Sequence, residues 1–375
     1  IYQGLYRIAG TDQKERIPRS YSTQMQVMIN TLNDIRTSDK QISGTHGIGV
    51  LMANSLMFQR FPDHNGYDDP QFSSFYGQTL PLLKRGIPVE LVHMENTPFK
   101  DTFNGLQVLV MSYSNMKPMK SEYHNYLADW VKKGGTLVYC GEDVDPYQTV
   151  LEWWNTEGNA YKAPSEHLFE AMGLSRNPGD GTYRFGKGTV IVMREDPKHF
   201  VLKGGNDRKY FETIVSAYES KTGKKIEIKN NFMVERGPYT IAAVMDESSS
   251  KEPLKLSGLY IDLFDKDLPV LTVKQINPGE QGYLYDLNKV SGKVKAKVLC
   301  GASRIYDEKV GKQSYSFVAK SPLHTTNVSR VLLPRKPGKV LVNGKAEQPE
   351  WDESSKTLLL SFENDPAGVN VSIEW

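Results

Sequence analysis

The chain has 375 residues, which at roughly 150 residues per domain predicts two domains. Its 46 lysines and arginines against 44 acidic residues leave a formal charge of +2, which excludes a polybasic partner of nucleic acid. Hydrophobic residues at 39% and charged residues at 24% are ordinary globular usage, and no apolar run approaches the ~20 residues that cross a bilayer, so a soluble, folded chain is expected.

The opening "IYQGLYRIAG" has neither the basic start nor the apolar core of a signal peptide, and it reads as the beginning of a processed chain or of a piece of something longer. From Tyr21 to Ile35 the residues Met25, Met28, Ile29, Leu32 and Ile35 recur at helical spacing, with Ser22 or Thr23 placed to cap. "GIGVLMA" around Val50 is a short apolar run bounded by glycine, the mark of a strand covered on both faces. The polar loop "FPDHNGYDDP" follows. Next comes a helix predicted over Phe72 to Arg85, stopped by Gly86, and then strand "PVELV".

Strand "QVLVMSY" leads to a helix carrying Tyr123, Tyr126, Leu127, Trp130 and Val131, and Gly134 and Gly135 end it before strand "TLVYC". This alternation predicts right-handed crossovers and an open parallel sheet. A less regular excursion spans Gly141 to Tyr183, followed by strand "GTVIVM" and a helix with Phe211, Ile214, Val215 and Tyr218. Beyond Gly223 the pattern changes to short strands separated by Gly, Pro, Asn and Asp, with "VNGK" and "DESSK" as hairpin turns, which predicts a β-sandwich. The expected division is a connector over 1–46, an α/β domain over 47–223 and a sandwich over 224–375.

Within the α/β part, "YGQTLPLLKRGIPVELVH" and "ADWVKKGGTLVYCGED" resemble the β-galactosidase trimerisation domain of glycoside hydrolase family 42, whose fold is like that of class I glutamine amidotransferases. The resemblance implies a flavodoxin-like parallel sheet, a catalytic barrel upstream of Ile1, a small β-domain behind, and a homotrimer. Residues up to Ile35 would then be a barrel tail and helical connector. The long excursion and the size of the β-region depart from the family pattern and fit a relative outside family 42 better. On this reading the chain is a non-catalytic accessory and oligomerisation region that meets carbohydrate substrate only indirectly. It would belong to the bacterial cytoplasm, the periplasm or the secreted fraction.

In an open α/β sheet ligands meet the carboxyl ends of the strands. That nominates Asn54 and Ser55, Ser114 and Asn115, and Glu142, Asp143 and Asp145, with packing and helix capping as their other use. Cys140 ends a strand before glycine, where amidotransferase-like hydrolases carry a nucleophile. A thiolate needs an imidazole or other positive neighbour, and neither His167 nor His199 has a paired acid in its spacing, so a cysteine hydrolase is the alternative and a buried thiol the plainer reading. Trp153 and Trp154 could stack on sugars or plug a neighbouring subunit, which allows a freestanding carbohydrate-binding or scaffolding protein as a third reading; adjacent positions point different ways, so one of them suits the core.

Asp63 and His64, with Asn65, Asp68 and Asp69, superficially suggest calcium but lack an EF-hand register, and a polar surface or interface loop is expected there. "GTHGIGV" places its glycines before a strand, where phosphate-binding glycines follow one. The seven histidines show no metal-ligand spacing. No cofactor, metal, nucleic-acid or membrane partner is expected.

Overall fold

The computed structural model describes residues 19–35, 40–58, 72–202, 204–290 and 292–375. They form two compact units, one of residues 44–232 with 247–251, the other of residues up to 43 with 233–246 and 252–375. The first described elements are helix α1 (Arg19–Ile35) and strand β1 (Lys40–Ile42), both in the second, β-rich unit.

The α/β unit follows as β2 (Ile48–Met52), α2 (Ser73–Leu83), β3 (Glu90–His93), β4 (Val108–Met111), α3 (Glu122–Lys132), β5 (Thr136–Cys140), α4 (Pro164–Ala171), β6 (Gly181–Phe185), β7 (Gly188–Met193), α5 (His199–Leu202) and α6 (Arg208–Thr222). The strands order as β3-β2-β4-β5-β7-β6. Every neighbouring pair is parallel except β6 with β7. β4 and β5 are buried at every residue, because helices cover both faces. Leu51, Leu109, Met111, Leu137 and Tyr139 face one core with Leu127 of α3 and Phe169 of α4. The alternate residues Val50, Val108, Val110, Val138 and Cys140 face the other, with Leu82 of α2 and Ile214 of α6.

Gly86 follows α2 at φ +69°, as its place after the helix predicts, and Gly223 ends α6 at φ +68°. β6 is absent from the sequence expectation. It is half-exposed along its length, so it lacks the continuous apolar run that marks its buried neighbours.

The β-rich unit continues as β8 (Asn231–Arg236), β9 (Tyr239–Val244), β10 (Leu254–Asp262), β11 (Val270–Ile276), β12 (Gln281–Asp286), β13 (Lys297–Gly301), β14 (Arg304–Val310), β15 (Ser314–Lys320), β16 (Thr326–Leu332), β17 (Lys339–Val342), β18 (Lys345–Ala346), β19 (Glu350–Asp352), β20 (Thr357–Glu363) and β21 (Val369–Glu374). One sheet runs β1-β8-β9-β12-β10-β11. Two smaller sheets, β13-β16-β20-β19 and β14-β15-β21-β17-β18, share a core in which Val331, Leu358 and Leu360 meet Tyr315, Phe317, Val371 and Ile373.

Both predicted hairpin turns are present. Asn343 and Gly344 take φ +48° and +77° between paired Val342 and Lys345, the two-residue geometry that Asn-Gly favours. Asp352 Oδ1 accepts from Ser354 Oγ and from the Ser355 amide at the turn before β20.

Helix α1 corrects two expectations. Its described part already runs from Arg19, so Ser22 and Thr23 are interior and do not cap; the Thr23 hydroxyl donates to the carbonyl of Thr326. The buried stripe is Thr23, Val27, Thr31 and Ile35, whereas Ile29 and Leu32 are exposed. Threonine replaces the apolar residues of the expected face because its hydroxyls find partners, as when Tyr283 Oη donates to Thr31 Oγ1 at 2.9 Å.

Candidate functional site

The carboxyl ends of β2, β4, β5 and β7 gather most of the nominated residues. After β4 the segment from Ser112 to Pro118 is buried throughout, although it is a loop, and its polar groups are accounted for locally. Ser112 Oγ accepts from the Ser114 amide at 3.0 Å. Asn115 adopts φ +57°, and its Nδ2 donates to Ser74 Oγ on α2 at 3.2 Å. Ser74 Oγ in turn donates to Asp196 Oδ1, beyond β7, at 3.2 Å. Lys117 curls back so that Nζ donates to the Tyr113 carbonyl and to both oxygens of Asp145, at 3.0 and 2.9 Å.

Asp145 follows β5 and is the hub. It also accepts from Gln148 Nε2 at 2.9 Å and from the Tyr147 amide at 3.1 Å, capping the one-turn helix Pro146–Thr149. Burial lowers the pKa of the Lys117 ammonium, and the Asp145 carboxylate opposes that shift. The pair is held by geometry rather than by water.

Asp143, at φ +60°, holds a second pair. Its carboxylate accepts from Arg194 Nη1 and Ser165 Oγ, each at 2.7 Å, and from Tyr139 Oη. Arg194 is fixed further by the carbonyls of Pro178 and Gly141. Of the other nominated residues, Glu142 is exposed, and the Asn54 amide donates to Glu95 Oε1 at 2.8 Å. Asp63 and His64 lie outside the described residues.

A third element runs inward from the surface. His167 on α4 is half-buried, and its Nδ1 lies 2.8 Å from Nδ1 of His124 on α3, whose Nε2 lies 2.6 Å from Tyr113 Oη. Burial holds His124 well below the usual imidazole value, reinforced by His167, and burial lowers His167 as well. Burial also pushes the Tyr113 phenol up, so it keeps its proton. One arrangement that joins all three neutral groups runs from Tyr113 O–H to His124 Nε2 and from His124 Nδ1–H to His167 Nδ1. Trp153 lies edge-on to both imidazoles, at centroid distances of 5.6 and 5.3 Å. Its Nε1 donates to the Pro118 carbonyl. Trp154 is buried at 2% exposure and donates to the Gln148 carbonyl, so of the two indoles it is the one in the core.

Cys140 is fully buried, in the apolar cluster with Val138, Met193, Phe200 and Tyr210. Burial pushes its thiol up, and the charges of Glu195 and Asp180 push it further the same way. That is the reverse of an activated nucleophile. Among the described residues no group of three His, Cys, Asp or Glu side chains is placed to hold a metal ion, and no helix is long and apolar enough to cross a membrane.

Spacing along the chain does not point to Lys117, Arg194, Ser74 or the His124–His167 link. A signal for the first was available: Lys117 and Asp145 each lie a few residues past the ends of β4 and β5, which are neighbours in a parallel sheet, so their loops emerge side by side. The same signal was available for Arg194, which directly follows β7, the parallel neighbour of β5; His167 comes from the irregular excursion, whose position the one-dimensional pattern does not fix.

No protein-family model matches the chain, and no curated protein matches it. Among solved structures it is similar to a GH42 β-galactosidase from G. stearothermophilus (13% identity, TM-score 0.38, 64% of this chain and 40% of that one). It is also similar to a β-galactosidase from Bacillus circulans sp. alkalophilus (10%, 0.42, 70% and 43%), and to α-L-fucosidase isoenzyme 2 from Paenibacillus thiaminolyticus (10%, 0.30, 89% and 49%). The chain spans less than half the length of each of these glycoside hydrolases.

Proposed function

We propose that this chain is the accessory and subunit-contact region of a glycoside hydrolase, without bond-breaking chemistry of its own. The observation that carries the reading is the closed carboxyl end of the parallel sheet. The place where an open α/β domain receives a ligand is filled by Lys117 against Asp145 and Arg194 against Asp143. A glycosidase needs two carboxyl groups about 5 Å apart, or roughly 6.5 to 9.5 Å apart, facing a sugar across a cleft; here Asp143 and Asp145 are committed to cations, hydroxyls and amides, and Glu142, among the described residues, is left alone on the surface.

The family-like motifs resemble a β-galactosidase trimerisation domain. The sheet order, 2-1-3-4-5 over the five parallel strands counted along the chain, agrees with the flavodoxin-like, amidotransferase-like fold that the resemblance implies. In this proposal the two-sheet carboxyl-terminal part is a β-sandwich, and catalysis belongs to a barrel elsewhere in the protein. β-Galactosidase is also the activity named for two of the neighbours above; the motifs, and not that shared name, support the assignment. Subunit contact is read from Met119, Val144 and Leu151, at 58%, 73% and 79% exposure. They lie on loops joined by the Lys117–Asp145 pair and the Trp153–Pro118 bond. Cyclic closure is the common way to cover such residues, and a trimer is the expected state.

The purified chain is expected to leave aryl β-galactosides uncleaved. Turnover that disappears when an internal carboxylate is replaced overturns the proposal. Light scattering is expected to give a trimer, and a monomer at all concentrations removes the subunit-contact role.

A further inference from the structure

A cleft of about 540 Å³ opens in the β-rich unit between the last turns of α1 and strands β13 and β14, within the size range of small-ligand sites. Its charges cancel: Asp34 and Glu308 bring two carboxylates, Lys297 and Arg304 two cations. A wall of both signs attracts neither a strongly anionic nor a strongly cationic guest, but it offers donors and acceptors together. Tyr306 adds an aromatic ring at 43% exposure, steadied by the Lys320 ammonium 5.5 Å from its centroid.

The lining is organised before any ligand arrives. Tyr239 Oη donates to Asp34 at 2.7 Å, Asn30 Nδ2 donates to the Gly301 carbonyl at 3.0 Å, and Tyr315 Oη donates to Glu308. Such preorganisation reduces the ordering that binding must otherwise impose. Among the lining residues is Ser303, 4% exposed, whose Oγ has no hydrogen-bond partner among the described residues. Buried hydroxyls are nearly always paired, and an unpaired one lining a cavity points to a missing partner. The adjoining register shift in β13, between Val298 and Cys300, interrupts the ladder along the same wall, where bulges commonly re-aim groups toward a site.

We propose that this cleft binds a neutral, polyhydroxylated ligand of mono- or disaccharide size. Its hydroxyls would pair with Asp34, Arg304, Glu308 and Ser303, and its apolar face would lie on Tyr306. The inference is independent of the accessory role proposed above, because every residue it uses lies in the β-rich unit, and failure of either leaves the other standing.

Isothermal titration of the full chain with lactose, cellobiose, glucuronate and glucosamine tests it. Binding of at least one neutral disaccharide is expected, weakened at least tenfold by Tyr306→Ala and severalfold by Arg304→Ala, with unchanged thermal midpoints because both side chains are exposed. Ser303→Ala is expected to weaken binding without lowering the midpoint. No heat from either neutral disaccharide, tighter binding of glucuronate or glucosamine than of both, or affinity unmoved by Tyr306→Ala overturns the proposal.

Discussion

At the carboxyl end of the parallel sheet, Lys117 and Asp145 stand 2.9 Å apart with side chains 11% and 2% exposed; beside β14, Arg304 and Asp34 are exposed to solvent and not to each other. Each region sets a basic side chain near an aspartate, and the consequences are opposite. In the first region charge is taken out of water, so it must be paired, and once paired it has no remaining capacity for a ligand. In the second, Asp34 accepts from Tyr239 Oη with one oxygen only and Arg304 has no ion-pair partner among the described residues, so both stay hydrated, contribute little to folding and keep capacity for a ligand. A cluster of charged residues past a strand end is therefore evidence of a site only when the structure leaves it unpaired.

Breaking the buried pair is the sharpest test of this contrast. Asp145→Ala strands the Lys117 ammonium and removes the acceptor of Gln148 and Tyr147. It is expected to lower unfolding stability by about 3–5 kcal/mol, read from urea midpoints. A loss below about 1 kcal/mol would mean that water reaches the pair. Asp143→Ala loses charged hydrogen bonds from Arg194 and Ser165 at a less deeply buried position, and about 1.5–3 kcal/mol is expected in the same assay.

The histidine chain adds a pH signature to the closed region. His124 and His167 both titrate below the ordinary imidazole value in the folded protein, while in the unfolded chain they titrate near 6.5. Their contribution is complete above about pH 6.5, and stability falls as pH drops below that value, because the unfolded state then takes up protons that the folded state refuses. His167→Phe keeps the aromatic packing and should reduce that slope between about pH 7 and 5, leaving the part that the burial of His124 contributes; an unchanged slope would mean that His167 does not take part in it. The smallest effect belongs to the open region, where Arg304→Ala should change stability by no more than about 0.5 kcal/mol while weakening the sugar binding proposed above.

Much of the α/β unit was legible because its strands are covered on both faces. "VLVM" and "TLVYC" are buried at every position, and a run of that kind has few other uses. The helix faces were harder. In α3 the expected Tyr126 is exposed and His124 takes a buried place, since an imidazole hydrogen-bonded at both nitrogens is as acceptable to the interior as a leucine. The nominated Ser114, Asn115 and Asp143 do lie at the strand ends, but which cation or amide each would meet was not encoded locally.

Periodicity, glycine placement and turn chemistry are properties of neighbouring residues along the chain, so the sequence by itself determined the five parallel strands, the helices α2, α3 and α6 that cover them, and the Asn343–Gly344 and Asp352 turns. Only the tertiary structure decided that β1 pairs with β8 across nearly two hundred residues, that Cys140 is an inert core thiol, and that Lys117 finds Asp145 while Arg304 finds no partner among the described residues. Hydrogen bonds and ion pairs act between groups a few ångströms apart in space, and the chain can bring such groups together from any separation.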